Sequence, residues 1–434
     1  AARVAGAARQ AARDQLFLPL EPATEAPAVD FPAVDFAAVM NRVRRLRAEL
    51  APHDSAERFR GLGVDVFFGD GRFVARDCVE VGGVKLKFAR ACIATGARPT
   101  IPSVPGLADA GFLTNENLFT LAELPRRLAV LGGGPIGCEL AQAFARCGSH
   151  VTLVAKSPRL LPRDDPDASR IVAAALARDG VDVIVESELL EVRRCGDGGA
   201  KTLVVRDATG ATRLVEVDQL LVAIGRTPNV ATLDLDAAGI EGDERVGVQV
   251  DDKLRTSNSR VFAAGDVCSH FRFTHAADAL ARIVIQNSLF FGWKRASALT
   301  IPWCTYTDPE VAHVGVVPSN GETSQFDTLH VDLAEVDRAR LEGARPGEGF
   351  LKIHLAPGSD RIIGATIVAP HAGELLAPLT LAVAQRIGLK RLGQLIHPYP
   401  TQSELLKRAA DQFNRRRLTP WARRVMSYVL RWVR

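Results

Sequence analysis

Apolar and polar positions change rhythm along the chain. From Arg127 the pattern alternates strand and helix: RLAVLGGGPIGCELAQAFARCG reads as a buried strand, a glycine-rich turn and a helix. HVTLVAKSP is the second strand and residues 166–179 the next helix. VDVIVES, LEVRRC, TLVVRD, LVEVD and QLLVAIG follow as strands and, with the βαβ opening, predict a parallel sheet. A third unit begins near Thr256, with SRVFAAGDV and a helix from about His275 to Phe291. Upstream, residues 1–14 and 35–50 predict helices joined by a proline-rich loop with a small duplication, VDFPA then VDFAA. After Ser55 the runs VDVFFG, GRFVA, CVEVGG and VKLKFAR alternate between glycines as hairpin strands do, and ARACIATGARP is an apolar strand ending in a glycine turn. Beyond Pro302 the chain is strand-rich, with helices expected over 371–387 and 401–414.

Composition narrows the class. At 434 residues, with 47% apolar and 24% charged positions, the chain suits two or three globular domains and excludes a disordered or collagen-like one. A net charge of +4 calls for no nucleic-acid partner. No apolar run reaches the length of a membrane span, and the Ala/Arg-rich N-terminus lacks the apolar core of a secretory signal, so the cytoplasm is the expected compartment. The seven cysteines form neither CxxC nor CxxxxC, and Cys138 and Cys147 fall on opposite faces of one helix; buried, inert thiols are expected. The nine histidines show no ligand spacing, so no metal site is expected.

The strongest chemical signal is Gly132-x-Gly134-x-x-Gly137, placed between a strand and a helix. Gly132 permits the tight turn, Gly134 lets a pyrophosphate approach the backbone, and Gly137 allows close helix–strand packing. Pro135 opens the helix, whose N-terminus offers free N–H groups and a positive dipole end to phosphates. At the end of the second strand an acidic side chain would bind a ribose 2′-hydroxyl. This chain has Ala155 there, followed by Lys156, Ser157 and Arg159. Two cations and a hydroxyl without a carboxylate point to NADPH rather than NADH.

Three weaker segments follow in order. Thr95 and Gly96 close a strand in ATG; Ile224-Gly225-Arg226-Thr227-Pro228-Asn229 closes another; Gly265-Asp266 ends the run Val261–Ala264. An Asp beside Gly at a strand end is placed to accept from a ribose or ribityl hydroxyl. Thr274 is the expected N-cap of the helix that begins His275-Ala276, and the dipole of that helix would favour negative charge on a reduced flavin.

Order and spacing of IATGARP, GGGPIGCE, AIGRTPN, AAGDV, TYTDPEVAHVG and HPYPTQSE resemble the class I pyridine nucleotide–disulfide oxidoreductases, from residue 1 to about 414. The AKS at 155–157 is similar to the NADPH-using, mercuric reductase-like branch of that flavoprotein family. The resemblance implies an α/β fold of two Rossmann-like nucleotide-binding domains, the FAD domain incomplete, plus an α+β C-terminal dimerisation domain. It implies a partial FAD domain over 1–122, an NAD(P) domain over 123–256, the rest of the FAD domain over 257–300, a dimerisation domain over 301–414 and a separate tail over 415–434. FAD and NADPH are the implied cofactors and a homodimer the implied assembly. Electrons would pass from NADPH through flavin to a thiol, a disulfide or a metal ion. A non-catalytic nucleotide-binding dimer is the alternative.

Two departures qualify the resemblance. The family's N-terminal strand–GxGxxG–helix, its CxxxxC redox pair and the lysine that follows do not occur here, so the chain is expected to be a fragment or a degenerate relative. Glu139 matches the acidic residue that pairs with that lysine near the flavin. The second departure is Tyr399, where disulfide reductases of the family place a histidine oriented by the residue matching Glu404. A phenol with pKa near 10 is a poor proton shuttle at neutral pH. A tyrosine recurs there in the mercuric reductase branch, but that enzyme's vicinal C-terminal cysteines are absent. His397 is expected to be a packing residue. Residues 415–434 carry seven arginines and no acid, with Leu418, Trp421, Val425, Tyr428 and Trp432 at helical spacing. This basic amphipathic helix suits a peripheral contact with an anionic membrane or packing on its own dimer.

Overall fold

The computed structural model describes residues 34–195, 199–317, 326–417 and 419–433. The helix expected over residues 1–14 and most of the loop after it lie outside the described residues. Contacts divide the chain into two units. One holds the described residues through Pro158 with Asp179–Leu299; the other holds Arg159–Arg178 with those from Thr300 onward.

In the first unit, four parallel strands stand in the order Gln219–Val222, Arg127–Leu131, His150–Val154, Val181–Ile184. Leu128, Val130, Leu153 and Leu221 are fully buried, which is why these runs read as unbroken apolar stretches rather than alternation. The helix Pro135–Cys147 follows the Arg127–Leu131 strand and ends at Gly148, whose φ of 114° only glycine adopts without strain. Cys138 and Cys147 are both buried, because both sides of this helix are covered.

The strands Glu188–Cys195, Ala200–Arg206 and Thr212–Val217 do not extend that parallel sheet as expected. They form their own antiparallel sheet with Ala200–Arg206 in the middle. Their connections are too short for a crossover, and a hairpin can only pair strands antiparallel. Leu189, Val192, Leu203 and Val205 of this sheet share a core with Ala129, Leu131 and Val154 of the parallel one.

Val261–Ala263 pairs in parallel with Ala91–Ile93, and Arg226–Pro228 pairs antiparallel with Ala97–Pro99. Gly71–Ala75, Cys78–Val81 and Val84–Lys87 form an antiparallel meander. VDVFFG is not a strand: it runs as a loop, with Phe67 and Phe68 exposed. The helix expected over 35–50 is Phe36–Leu50, capped by Asp35, which accepts from the Ala38 N–H at 2.9 Å. Cys92 and Cys195 are exposed, against the expectation of buried thiols. Cys92 points to the opposite face of its strand from Ile93, and Cys195 ends an edge strand.

The second unit carries a five-stranded antiparallel sheet in the order Trp303–Thr305, Glu310–Gly315, Ile362–Ala369, Phe350–Leu355, Asp327–Asp332. Leu351, Ile353 and Ile367 share one core with Leu379, Leu405 and Ala409. The helix expected over 371–387 is broken into Ala372–Leu375 and Ala377–Ala384. Pro378 has no N–H to offer the Glu374 carbonyl, and Arg386 turns the chain at φ 54° before residue 387. The next long helix is Glu404–Arg416. Lys352 ties the Arg159–Arg178 segment to this sheet, its Nζ 2.8 Å from Asp165 and 2.6 Å from Asp167. Among the described residues no helix is long and apolar enough to cross a membrane.

Candidate functional site

The glycine turn expected to take the nucleotide lies between Arg127–Leu131 and Pro135–Cys147. Gly132 has φ 120°, and a Cβ there would lie 2.3 Å from the Ala223 carbonyl oxygen. A Cβ at Gly137 would lie 1.9 Å from the Gly132 carbonyl oxygen, so helix and strand touch backbone to backbone. A Cβ at Gly134 would meet nothing within 4 Å. That open approach sits at the helix N-cap, where no side chain caps the first turn and Pro135 begins the helix. The first-turn N–H groups therefore face outward with the dipole behind them, which fits a dinucleotide pyrophosphate.

Ala155, at the position where cofactor discrimination is expected, is buried and hydrogen-bonded through its backbone to Ile184 and Ser187. Lys156 is exposed, and Ser157 half-buried. The expectation that no carboxylate stands here is corrected: Glu188, which opens the Glu188–Cys195 strand of the antiparallel sheet, is 3.1 Å from Lys156 Nζ and 2.6 Å from Arg206. The two cations hold the Glu188 carboxyl below its usual range, chiefly through these hydrogen bonds. Arg159, in the second unit, spends its guanidinium on the carbonyls of Asp164 and Pro162, each at 2.9 Å.

The residues expected on the flavin side gather within the first unit. Thr95 Oγ1 donates to the Asn229 carbonyl at 2.7 Å, and Asn229 Nδ2 donates to the Thr95 carbonyl at 2.9 Å. Gly96 accepts from the Asn229 N–H, and Gly225 from the Thr100 N–H, both at 3.0 Å. Arg226 Nε lies 3.1 Å from Asp266 Oδ2, and its guanidinium also donates to the Ala97 carbonyl. Arg272 donates to the Arg226 carbonyl.

Gly265, at φ 79°, brings the Asp266 turn against the first turn of Thr274–Leu289: a Cβ there would lie 3.2 Å from the Ala277 Cβ. Thr274 is not the N-cap. Extended Phe273 holds that position, and Thr274 is the first helical residue, with no side-chain cap. Thr274 and His275 are exposed, whereas Ala276 is buried and offers a ligand only its backbone. A carboxylate, an uncapped helix end and a turn that a side chain would fill suit a flavin nucleotide. Burial pushes the thiol of Cys268, next to this turn, up to about 12, with Cys92 and Asp266 adding, which disfavours the thiolate. Glu139 is half-buried on the second turn of Pro135–Cys147.

Tyr399 and Glu404 lie in the second unit. Tyr399 is exposed and donates its hydroxyl to Asp337 Oδ2 at 3.0 Å. That bond, then the charges of Asp337 and Glu404, raise the Tyr399 phenol above its ordinary range. The residue positioning this side chain is thus Asp337 rather than Glu404. Asp337 opens the short helix Asp337–Leu341, and nothing in sequence spacing singles it out. Glu404 is half-buried at the start of its helix; its Oε2 is buried without a hydrogen-bond partner, as is His397 Nε2. Glu404, Glu335, Arg408 and Gln412 line a surface cleft of about 270 Å³. Among the described residues no three His, Cys, Asp or Glu gather as a metal site.

Residues 31–281 match the pyridine nucleotide-disulphide oxidoreductase family, and residues 301–410 its dimerisation domain. Mercuric reductase from Bacillus cereus is 34% identical over 355 residues, covering 81% of this chain and 56% of that protein. Mercuric reductase from Streptomyces lividans is 34% identical over 380 residues, covering 86% and 78%. The chain spans 56% to 64% of the length of the mercuric reductases from Bacillus cereus, Staphylococcus aureus and Lysinibacillus sphaericus. Among solved structures, the HOCl-induced flavoprotein disulfide reductase RclA from Escherichia coli aligns with TM-score 0.77 at 26% identity, over 87% of this chain and 86% of that one. LpdA from Mycobacterium tuberculosis aligns with TM-score 0.76 at 27% identity, over 95% and 89%. The chain belongs to the pyridine nucleotide-disulphide oxidoreductase family, a family of flavin-dependent enzymes, and is mercuric reductase-like within it.

Proposed function

We propose that this chain works as a homodimeric, FAD-dependent oxidoreductase that takes electrons from NADPH and delivers them to a thiol-bound, disulfide or metal-ion acceptor. One observation carries the reading. The run from Ala223 to Arg226 packs its first carbonyl on Gly132 of the nucleotide turn and, three residues later, ion-pairs with Asp266 of the flavin-side turn. Two nucleotide-type sites are thereby joined through a four-residue connection.

When bound, the two cofactors supply hydride transfer from nicotinamide to flavin. The protein's part is binding and orientation. Gly132, Gly134, Pro135 and Gly137 receive the NADPH pyrophosphate, and Lys156 with Ser157 receives the 2′-phosphate. Thr95, Gly96, Gly225, Arg226, Gly265 and Asp266 hold the flavin nucleotide, with the helix start Thr274–His275–Ala276 presenting N–H groups. Glu139 lies on the helix between the two sets in this reading, and Tyr399 and Glu404 serve the acceptor end. In this reading the domains are 1–122 with 257–300, 123–256 and 301–414.

Steady-state NADPH oxidation with FAD present tests the reading against a panel of acceptors: an aromatic disulfide, glutathione disulfide, Hg(II) and Cu(II). Turnover that depends on at least one of these supports it. NADPH oxidation indifferent to every acceptor contradicts it.

A further inference from the structure

The helix Pro420–Val433 lies beyond residue 410, where the match to the dimerisation domain ends, and the proposed electron path leaves it unused. Every side chain described on it is exposed. Trp421 is 74% exposed and Trp432 79%, although the Trp432 ring lies 6.3 Å from that of Tyr428 on the same helix.

The distribution around the helix is not random. At about 100° per residue, Trp421, Val425, Tyr428 and Trp432 share one centre line, and Val429, Met426 and Leu430 widen the apolar arc to roughly 200°. Arg423, Ser427, Arg431 and Arg424 fill the rest, with no apolar residue among them. Residues 415–434 hold seven arginines and no acid. Of these, Arg416 is engaged by Asp327, whereas Arg423, Arg424 and Arg431 stand exposed on the polar arc. The 14-residue helix rises about 21 Å, short of the roughly 30 Å hydrocarbon core of a bilayer.

We propose that this helix docks the protein on an anionic phospholipid surface, lying in the plane of the interface. The apolar arc enters the acyl boundary, the two tryptophans and Tyr428 sit at headgroup depth, and the arginines bond lipid phosphates and carboxylates. Sign and width choose this occupant. A second copy would bring the same uncompensated positive charge, and a helix–helix seam is narrower than this arc. A lipid surface matches both.

Sedimentation of the full chain with vesicles tests the proposal. Binding is expected to phosphatidylcholine–phosphatidylserine vesicles and not to phosphatidylcholine alone, weakening as salt rises. Tryptophan emission shifts to the blue on binding, and the Trp421→Phe/Trp432→Phe variant loses that shift. Replacing Arg423, Arg424 and Arg431 with Gln weakens binding roughly a hundredfold, at about fivefold per arginine. Trp421→Ala with Trp432→Ala abolishes binding, with an unaltered melting temperature and oligomeric state in vesicle-free buffer. Equal binding to both vesicle types, or binding to neither, overturns the proposal. So does an oligomer that falls apart in the Trp421→Ala/Trp432→Ala variant, which would make a second copy the occupant.

Discussion

Tyr399 donates its hydroxyl to Asp337 Oδ2 at 3.0 Å, a bond between a loop residue and a helix start 62 positions earlier. The consequence is chemical. A phenol held by a carboxylate stays protonated across neutral pH and acts as a hydrogen-bond donor or ligand, not as a proton shuttle. Removing the charge in Asp337→Asn is expected to lower the Tyr399 ionisation toward its ordinary value near 10. The ultraviolet difference titration between each protein and its Tyr399→Phe counterpart reads this directly; an unmoved midpoint would show that the bond is not formed in solution.

The three fingerprint glycines should separate. Gly137→Ala places a Cβ 1.9 Å from a backbone oxygen, and Gly132→Ala adds a φ of 120° to a 2.3 Å approach. Each is expected to destabilise the fold on the order of 3 kcal/mol. Gly134→Ala meets open space at φ −80°, so stability should stay within about 0.5 kcal/mol while NADPH affinity falls several-fold. Urea denaturation beside nucleotide titration checks the split.

In the proposed function Glu188 competes with the cofactor for Lys156. Glu188→Gln should raise NADPH affinity roughly two- to fivefold, the scale of an exposed ion pair, and leave NADH unchanged. Lys156→Ala should lower NADPH affinity and again spare NADH. Parallel changes for both nucleotides would remove Lys156 from the 2′-phosphate site.

His313 is fully buried, bonded to Thr366 Oγ1 at 2.8 Å and packed on Trp303 with ring centroids 4.4 Å apart. Burial lowers its pKa to about 4, against 6.5 for the free side chain. The folded protein therefore resists a proton that the unfolded chain accepts. The stability that neutral His313 provides is intact above pH 6.5 and is lost as the pH falls toward 4, by about 3 kcal/mol in all. His354, also depressed by burial, acts in the same direction. Urea midpoints followed by tryptophan emission should drop between pH 7 and 4.5, and His313→Gln should flatten that drop.

What was legible in the sequence was whatever is local. The fingerprint between its strand and helix and the helix near 35–50 are written in neighbouring residues, and they stand where expected. Pairing across distance was not legible. Glu188 reaches Lys156 from 32 positions away and Asp337 reaches Tyr399 from 62, and neither carboxylate differs in sequence from a solvated one. Direction was lost too: LEVRRC, TLVVRD and LVEVD read as strands correctly, but periodicity does not reveal whether a strand pairs parallel or antiparallel. Thr274 failed as a cap because chain direction at Phe273, rather than residue type, sets where the helix begins.

The most direct test of the account is a single turnover. The protein, loaded with FAD and freed of oxygen, is mixed with one equivalent of NADPH while flavin absorbance is followed, and the Gly134→Val variant is run beside it. Rapid bleaching of the flavin by NADPH, slower with NADH and lost in Gly134→Val, is the expected result. A flavin that stays oxidised in the wild-type protein, or that bleaches equally fast in the variant, would contradict a hydride path through the Gly132–Gly137 turn.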